Sequence, residues 1–436
     1  MNNLEYYKEQ FDTLQSAAVG NKLNPLRQNA FREFTNMGIP GSKHEEWKYT
    51  RVAGLFNKEY GTMAAKDSAS AQAELNNVRL PGYEEANELV FINGYFNSSL
   101  STIRSKDLVV MSLEEAAGST DHKEFVAHNL GHSSNYLKDG VNALNTAFIQ
   151  GGLFLHIKKG YAVEHPVYIY NITDAGAGNV FCQPRSLIQV AQNSQVQIAE
   201  TYVTLGASDS FTNQVLEVAI EQDAIVEYYK IQNDAPLANQ VSTTHFRQLG
   251  KSYIHTVTVS LNGGLVRNNL NIVMEAERSE AHLYGLYFQG GSSHIDNHTI
   301  VDNVRPNCFS NELYKGILTG DATGVFNGKI YVRQDAQKTN AYQSNKNILL
   351  SDNASVNTKP QLEIFADDVK CSHGCTVGQL DEEALFYLQS RGIGEEAARS
   401  LLVRAFAEDI LEHIKLDPIH KYVEKLIVKR LKKGTA

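Results

Sequence analysis

Hydrophobic and polar positions divide the chain into three stretches of different texture. In the first ~55 residues Leu4, Tyr7, Phe11 and Leu14 recur at spacings of three and four, which places them on one face of a helix. Asn24-Pro25 opens a second helix that carries Ala30, Phe31 and Phe34 and stops at Gly38 and Pro40. Residues ~60–86, rich in Ala, Ser and Asn, have little periodicity and read as a loop or a loose connection. Leu89 to Ile92 reads as a strand ending in the Asn93-Gly94 turn, and a helix is expected around Val141 to Phe148.

From ~151 to ~370 helical patterns give way to short alternating runs between Gly, Asn, Asp and Ser turns. Gln195–Ile198, Ile225–Tyr228, His255 to Leu261 and Lys329–Val332 are examples of this half-buried strand signal. A turn residue, a small residue and then a strand recur at Asn193-Ser194, Asp223-Ala224, Asp321-Ala322 and Asn353-Ala354. The small residues are separated by 30, 98 and 32 positions, the middle interval being about three times the others. A period near 30 suggests stacked solenoid coils, and a β-sandwich gives similar local texture.

The last ~57 residues return to helix. Asp381-Glu382-Glu383 starts one helix, Gly392 and Gly394 break it, and a second runs from about Glu395 to His413. Asp417-Pro418 caps a third, in which Ile419, Tyr422, Val423, Leu426, Ile427 and Leu431 form an amphipathic stripe. That stripe is either core or a docking face. The expected organisation is a mixed helical region 1–150, a β core 151–378 and a helical region 379–436.

Composition narrows the class. The 436 residues are 42% hydrophobic and 20% charged, with a net charge of −9, which is globular and unlike a general nucleic-acid binder. The N-terminus lacks an apolar signal core and no run is long enough to span a bilayer, so a cytoplasmic, reducing setting is expected. Four cysteines are too few for a disulfide scaffold.

Cys371-Ser372-His373-Gly374-Cys375 is the densest group of soft donors. On a strand Cys371, His373 and Cys375 face one way. No second ligand pair is visible for a closed four-ligand site, so the group reads either as a partial metal or cluster site completed by a partner, or as small residues after the last strand. His294, Asp296 and His298 in SHIDNHT share a strand face, as a polar site or a hydrogen-bonded solenoid edge. His122, His128 and His132 read as polar surface. Gly320 to Ile330 fails the phosphate-loop pattern at Thr323 and Ile330, and no nucleophile elbow or H-E-x-x-H is present.

The segment Thr323 to Ile393, with VFNGKIYV, TKPQLEI, ADDVKCSHG and FYLQSRGI in order, resembles the SufB/SufD family of iron–sulfur cluster assembly proteins. SKHEEWKYT, LVFINGYF and ALNTAF extend the resemblance over nearly the whole chain. The pattern is closer to the SufD branch: Asn353 to Pro360 lacks the SufB scaffold cysteine, and Gly374 stands where SufB has a glutamate. The resemblance implies a right-handed parallel β-helix core with helical N- and C-terminal regions. It implies a non-enzymatic scaffold that pairs with SufB and docks the ATPase SufC through the helices from 381 onward; the sequence leaves open a homodimer of the chain when alone. His373 and Cys371 would then be iron or cluster ligands at a subunit interface holding a transient iron–sulfur cluster. Cys375 stands where alanine is common in the family, and its role is weaker. Alternatives from the residues are a self-sufficient SufB-like homodimer and a β-helix enzyme acting on polysaccharide.

Overall fold

The computed structural model of the chain describes residues 3–58, 60 and 69–434. Ten strands form one sheet, called sheet I, from Tyr95–Thr102 at one end to Lys370–Gly378 at the other. Sheet II runs from Leu108–Ser112 to Ser355–Ile364. From the strand Arg185–Val190 onward successive strands alternate between the sheets, and from the strand Val167–Asp174 onward their ladders are parallel. The result is a mainly β, parallel β-solenoid of about eight turns with helices at both ends of the chain. Parallel pairing is what periodicity left undecided between solenoid and sandwich.

The corners explain the sequence echo and correct its arithmetic. Asn193, Asp223, Arg278, Asn307 and Lys338 adopt left-handed backbone conformations with φ between 57° and 61°. Each precedes a buried small residue (Ser194, Ala224, Ser279, Cys308 or Thr339) that leads into a strand of sheet I. Asn and Asp tolerate this conformation, and Arg and Lys adopt it at a cost of about 1–2 kcal/mol. Three of these corners fall outside the sequence echo: Arg278 and Lys338 are not turn-forming types, and Asn307 precedes a cysteine. Ala322 and Ala354 lead into strands of sheet II, at the opposite corner. The interval of 98 thus joins two different corners and is not three whole coils.

Alternate residues of each strand fill the lumen, where Ile198, Tyr228, Leu283, Phe326 and Ile330 belong to one continuous apolar cluster. The outer faces are covered by the helical regions. Helices Asn3–Ala17, Asn24–Met37 and Gly140–Ala147, with the lone Trp47 of the 3-10 turn Glu45–Trp47, build an apolar cluster that includes Tyr7 and Phe34 and packs on Phe181, Phe211 and Val241 of sheet II. The connection read as a loop contains a helix, Ala69–Val78, whose Ala71 and Leu75 are buried against sheet I. The remainder of that stretch at 61–68 lies outside the described residues. Two buried side chains sufficed to dock a helix whose surface is otherwise polar, which is why periodicity was weak.

Helices Glu395–Leu411 and Asp417–Gly434 lie on the outer face of sheet I. Ile419, Val423, Ile427 and Leu431 are all buried there. At about 1.5–3 kcal/mol for each such side chain, this stripe is core. The helix Glu382–Ser390 differs: it has no buried residue, and Phe386 and Tyr387 are 72% and 56% exposed.

Candidate functional site

The last strand, Lys370–Gly378, is bonded on one side only, to Asn340–Leu349. Its register sets Cys371 beside Ala341, His373 beside Gln343 and Cys375 beside Asn345. Ala341, Gln343 and Asn345 are buried in the lumen. Cys371, His373 and Cys375 therefore continue three lumen columns into a coil on which, among the described residues, no further strand stacks. Cys371 is half-buried and packs on the apolar lumen cluster, and His373 and Cys375 are exposed. Its sheet II counterpart, Ser355–Ile364, is likewise the edge of its sheet.

Burial pushes the Cys371 thiol above its ordinary value, opposed by a hydrogen bond from the backbone at Ala341. That thiol stays protonated near neutral pH until a metal or a base takes its proton. Same-face residues on a strand are about 6.5–7 Å apart, and two donors on one metal ion sit within about 4–5 Å of each other. The three side chains thus share a face without closing on one ion. Among the described residues no three His, Cys, Asp or Glu side chains gather where a metal ion could sit. Cys182 and Cys308, by contrast, are buried, and their thiols are pushed up to about 12 and about 11 by burial.

Sequence reasoning missed the residues behind this face. Gln343 Nε2 donates to Glu312 Oε2 at 2.7 Å, one coil deeper in the His373 column. Burial raises the Glu312 carboxyl to about 7, the hydrogen bonds from Thr299 and Gln343 opposing it. No sequence signal singles out a lone Glu on an alternating strand; only the register places it.

His294, Asp296 and His298 form a structural pin. Asp296 is fully buried on the outer face of sheet II, 2.8 Å from Arg267 Nη1 and 3.0 Å from His298 Nε2. Thr50 Oγ1 donates to Asp296 and lies 2.9 Å from His294 Nε2. The Arg267 guanidinium stacks on Trp47 at 3.8 Å and donates to the Glu46 carbonyl at 2.7 Å. Trp47 Nε1 donates to Asp139 at 3.2 Å. The SKHEEWKYT segment, in the 3-10 turn Glu45–Trp47, is thereby clipped to the solenoid. Hydrogen bonding explains the histidines. His132 is also more than polar surface, since its Nδ1 lies 2.9 Å from Nε2 of the buried His245. The Gly320 to Ile330 run is a corner leading into the strand Thr323–Val332.

A parallel solenoid whose terminal strand, paired on one side only, presents Cys and His defines the class, a β-helical protein with an open end. Comparison with known proteins makes it specific. The SUF-system SufBD core domain matches residues 171–406, and the SufBD N-terminal region matches residues 2–169. An iron–sulfur cluster assembly SufBD family protein of Synechocystis is 32% identical over 421 residues, 95% of this chain and 92% of its own. The iron–sulfur cluster assembly protein SufD of Escherichia coli is 28% identical over 428 residues, 96% and 95% of the two chains. A SufD of Bacillus subtilis is 26% identical over 352 residues, 75% of each. The chain belongs to the SufBD family of iron–sulfur cluster assembly proteins.

Proposed function

We propose that this protein is a SufD-like, non-catalytic scaffold subunit that pairs with SufB and works with the ATPase SufC in a cytoplasmic assembly. The observation that carries this reading is the open terminal coil, which presents Cys371, His373 and Cys375 on one face with no strand beyond. Donors too far apart to hold one ion within a single chain suit a site whose remaining ligands come from a partner.

Iron or a nascent cluster is the cargo here. His373 supplies a neutral imidazole or a local base, Cys371 a thiolate once its proton is lost, and Cys375 a weaker contribution. The exposed Phe386, Tyr387 and Leu401 (46% exposed) are the part of the C-terminal region left free to dock the ATPase. Nucleotide-driven movement of that region would bias the pair between closed and ligand-exposing states.

The test is co-expression with SufB and SufC followed by cluster quantitation. His373→Ala is expected to assemble normally and to form few clusters, and Cys375→Ala to do less harm than Cys371→Ala. Undiminished cluster formation by His373→Ala refutes the ligand role. Failure of the wild type to co-purify with SufB and SufC refutes the partnership.

A further inference from the structure

A second site lies on the outer face of sheet II, and its lining shares no residue with the terminal strand. There the segment His132 to Lys138 overhangs the solenoid and forms an open cleft of about 630 Å³. Val273 and Ile300 line its floor, with Tyr136 and Tyr331 as aromatic walls. Its charge is unbalanced. Glu275, its one lining carboxylate, is held by Arg247 in two bonds of 2.7 and 2.9 Å. Arg333 is held rigid by Asp302 in two bonds of 2.8 Å, and Tyr136 donates to that same carboxylate at 2.8 Å. Lys138 and Arg305 are exposed at the rim and make no hydrogen bond or ion pair among the described residues. The paired charges cancel, so the cleft carries a surplus of two cations on a chain whose net charge is −9. Such a local reversal of sign attracts anions against the overall field.

Two buried polar atoms beneath the cleft also lack partners among the described residues. His245 and Asn271 are register neighbours on adjacent strands, both essentially unexposed. Among the described residues neither His245 Nδ1 nor Asn271 Nδ2 has a hydrogen-bond partner. His245 is bonded to His132, which lines the cleft, and Asn271 is the register neighbour of Ile300 in its floor. Unmet buried polar groups are uncommon and are satisfied by water or by a ligand that brings acceptors.

We propose that this cleft binds a small, multiply charged oxyanion, with Lys138 and Arg305 as its charge partners and the preset Arg333 fork orienting it. Guanidinium groups suit the planar two-oxygen edge of carboxylate and phosphate alike. The size suits a ligand that carries several anionic groups rather than a single phosphate or sulfate.

The test uses the full chain, with pyrophosphate and citrate as separate probes, followed by titration calorimetry at fixed ionic strength. Pyrophosphate binding alone identifies a phosphate-type ligand, and citrate binding alone a polycarboxylate. A 1:1 complex is expected with at least one of them. Lys138→Ala with Arg305→Ala should weaken it at least about tenfold. Lys425→Ala, an exposed lysine on the opposite, sheet I side, should leave it unchanged. Both rim side chains are exposed, so circular dichroism of the double variant should match wild type. No binding of either anion, or an equal loss in the Lys425→Ala control, overturns the proposal. The outcome is independent of the cluster-assembly reading, whose residues lie on another strand.

Discussion

Replacing Asp296 with Ala should release the N-terminal segment from the solenoid. In the native chain Asp296 answers the Arg267 guanidinium at 2.8 Å, and both side chains are only 1% exposed. Trp47 caps the guanidinium, shielding it from water. Deleting the carboxylate leaves a buried charge whose remaining hydrogen bonds among the described residues go to the Glu46 carbonyl and to Asn269 Oδ1 at 3.0 Å. Removing one partner of such a pair costs about 3–5 kcal/mol. Lifting Trp47 away readmits water to Arg267, so the penalty falls on the closed state of this segment. At 1.4 kcal/mol per decade its open population rises about 10² to 4 × 10³-fold. Trp47 is the sole tryptophan, so its emission reads this event alone. The urea midpoint of that signal should fall ahead of the far-ultraviolet signal of the solenoid, and amide exchange around residues 44–52 should accelerate by the same factor. The double variant Asp296→Ala, Arg267→Met removes both charges and should recover at least about 1.5 kcal/mol of the loss. A single variant costing under about 1 kcal/mol, or a double variant no more stable than the single, refutes the reasoning.

The same clip should be acid-labile. Hydrogen bonding to His298 and the charge of Lys329 hold the Glu46 carboxyl down at about 2, against burial. A depressed carboxyl stabilises the fold above its unfolded value near 4.5 and loses that contribution as pH falls toward 2, so Trp47 emission should hold from pH 8 to 5 and shift below 4.5. His245 runs in the same direction through a different charge. Burial lowers it to about 3, so the unfolded chain takes up a proton between pH 6.5 and 3 that the native chain refuses, and His245→Gln should flatten the decline of stability over that window. Iodoacetamide on the native chain should label Cys375 first and Cys371 more slowly, leaving Cys182 and Cys308 unmodified until unfolding; mass spectrometry of timed digests showing early labelling at Cys308 would contradict its burial. Gly285→Ala should destabilise by several kcal/mol, because an added Cβ would lie 2.1 Å from the Tyr314 ring; an unchanged urea midpoint would show that the ring moves aside.

Local chemistry wrote much of this protein into its sequence. Spacings of three and four placed the terminal helices, because one helix face must be buried whatever lies opposite. Alternation marked the strands of the core for the same reason, and Cys371, His373 and Cys375 shared a face because side chains on a strand repeat every two residues. Family motifs pointed to the β-helix where periodicity alone left a sandwich open. Tertiary structure decided what depends on stacking. Only coil register makes His373 the open end of a column containing Gln343 and Glu312, and only the covering helices turn the Ile419 to Leu431 stripe into core while leaving Phe386 exposed. Nothing in SHIDNHT says that Asp296 will meet Arg267 and the segment around Trp47, since those partners are 29 or more residues away. The same alternating pattern fits lumen, covered face or open edge, and the distinction comes from which segment of chain arrives to exclude water from each.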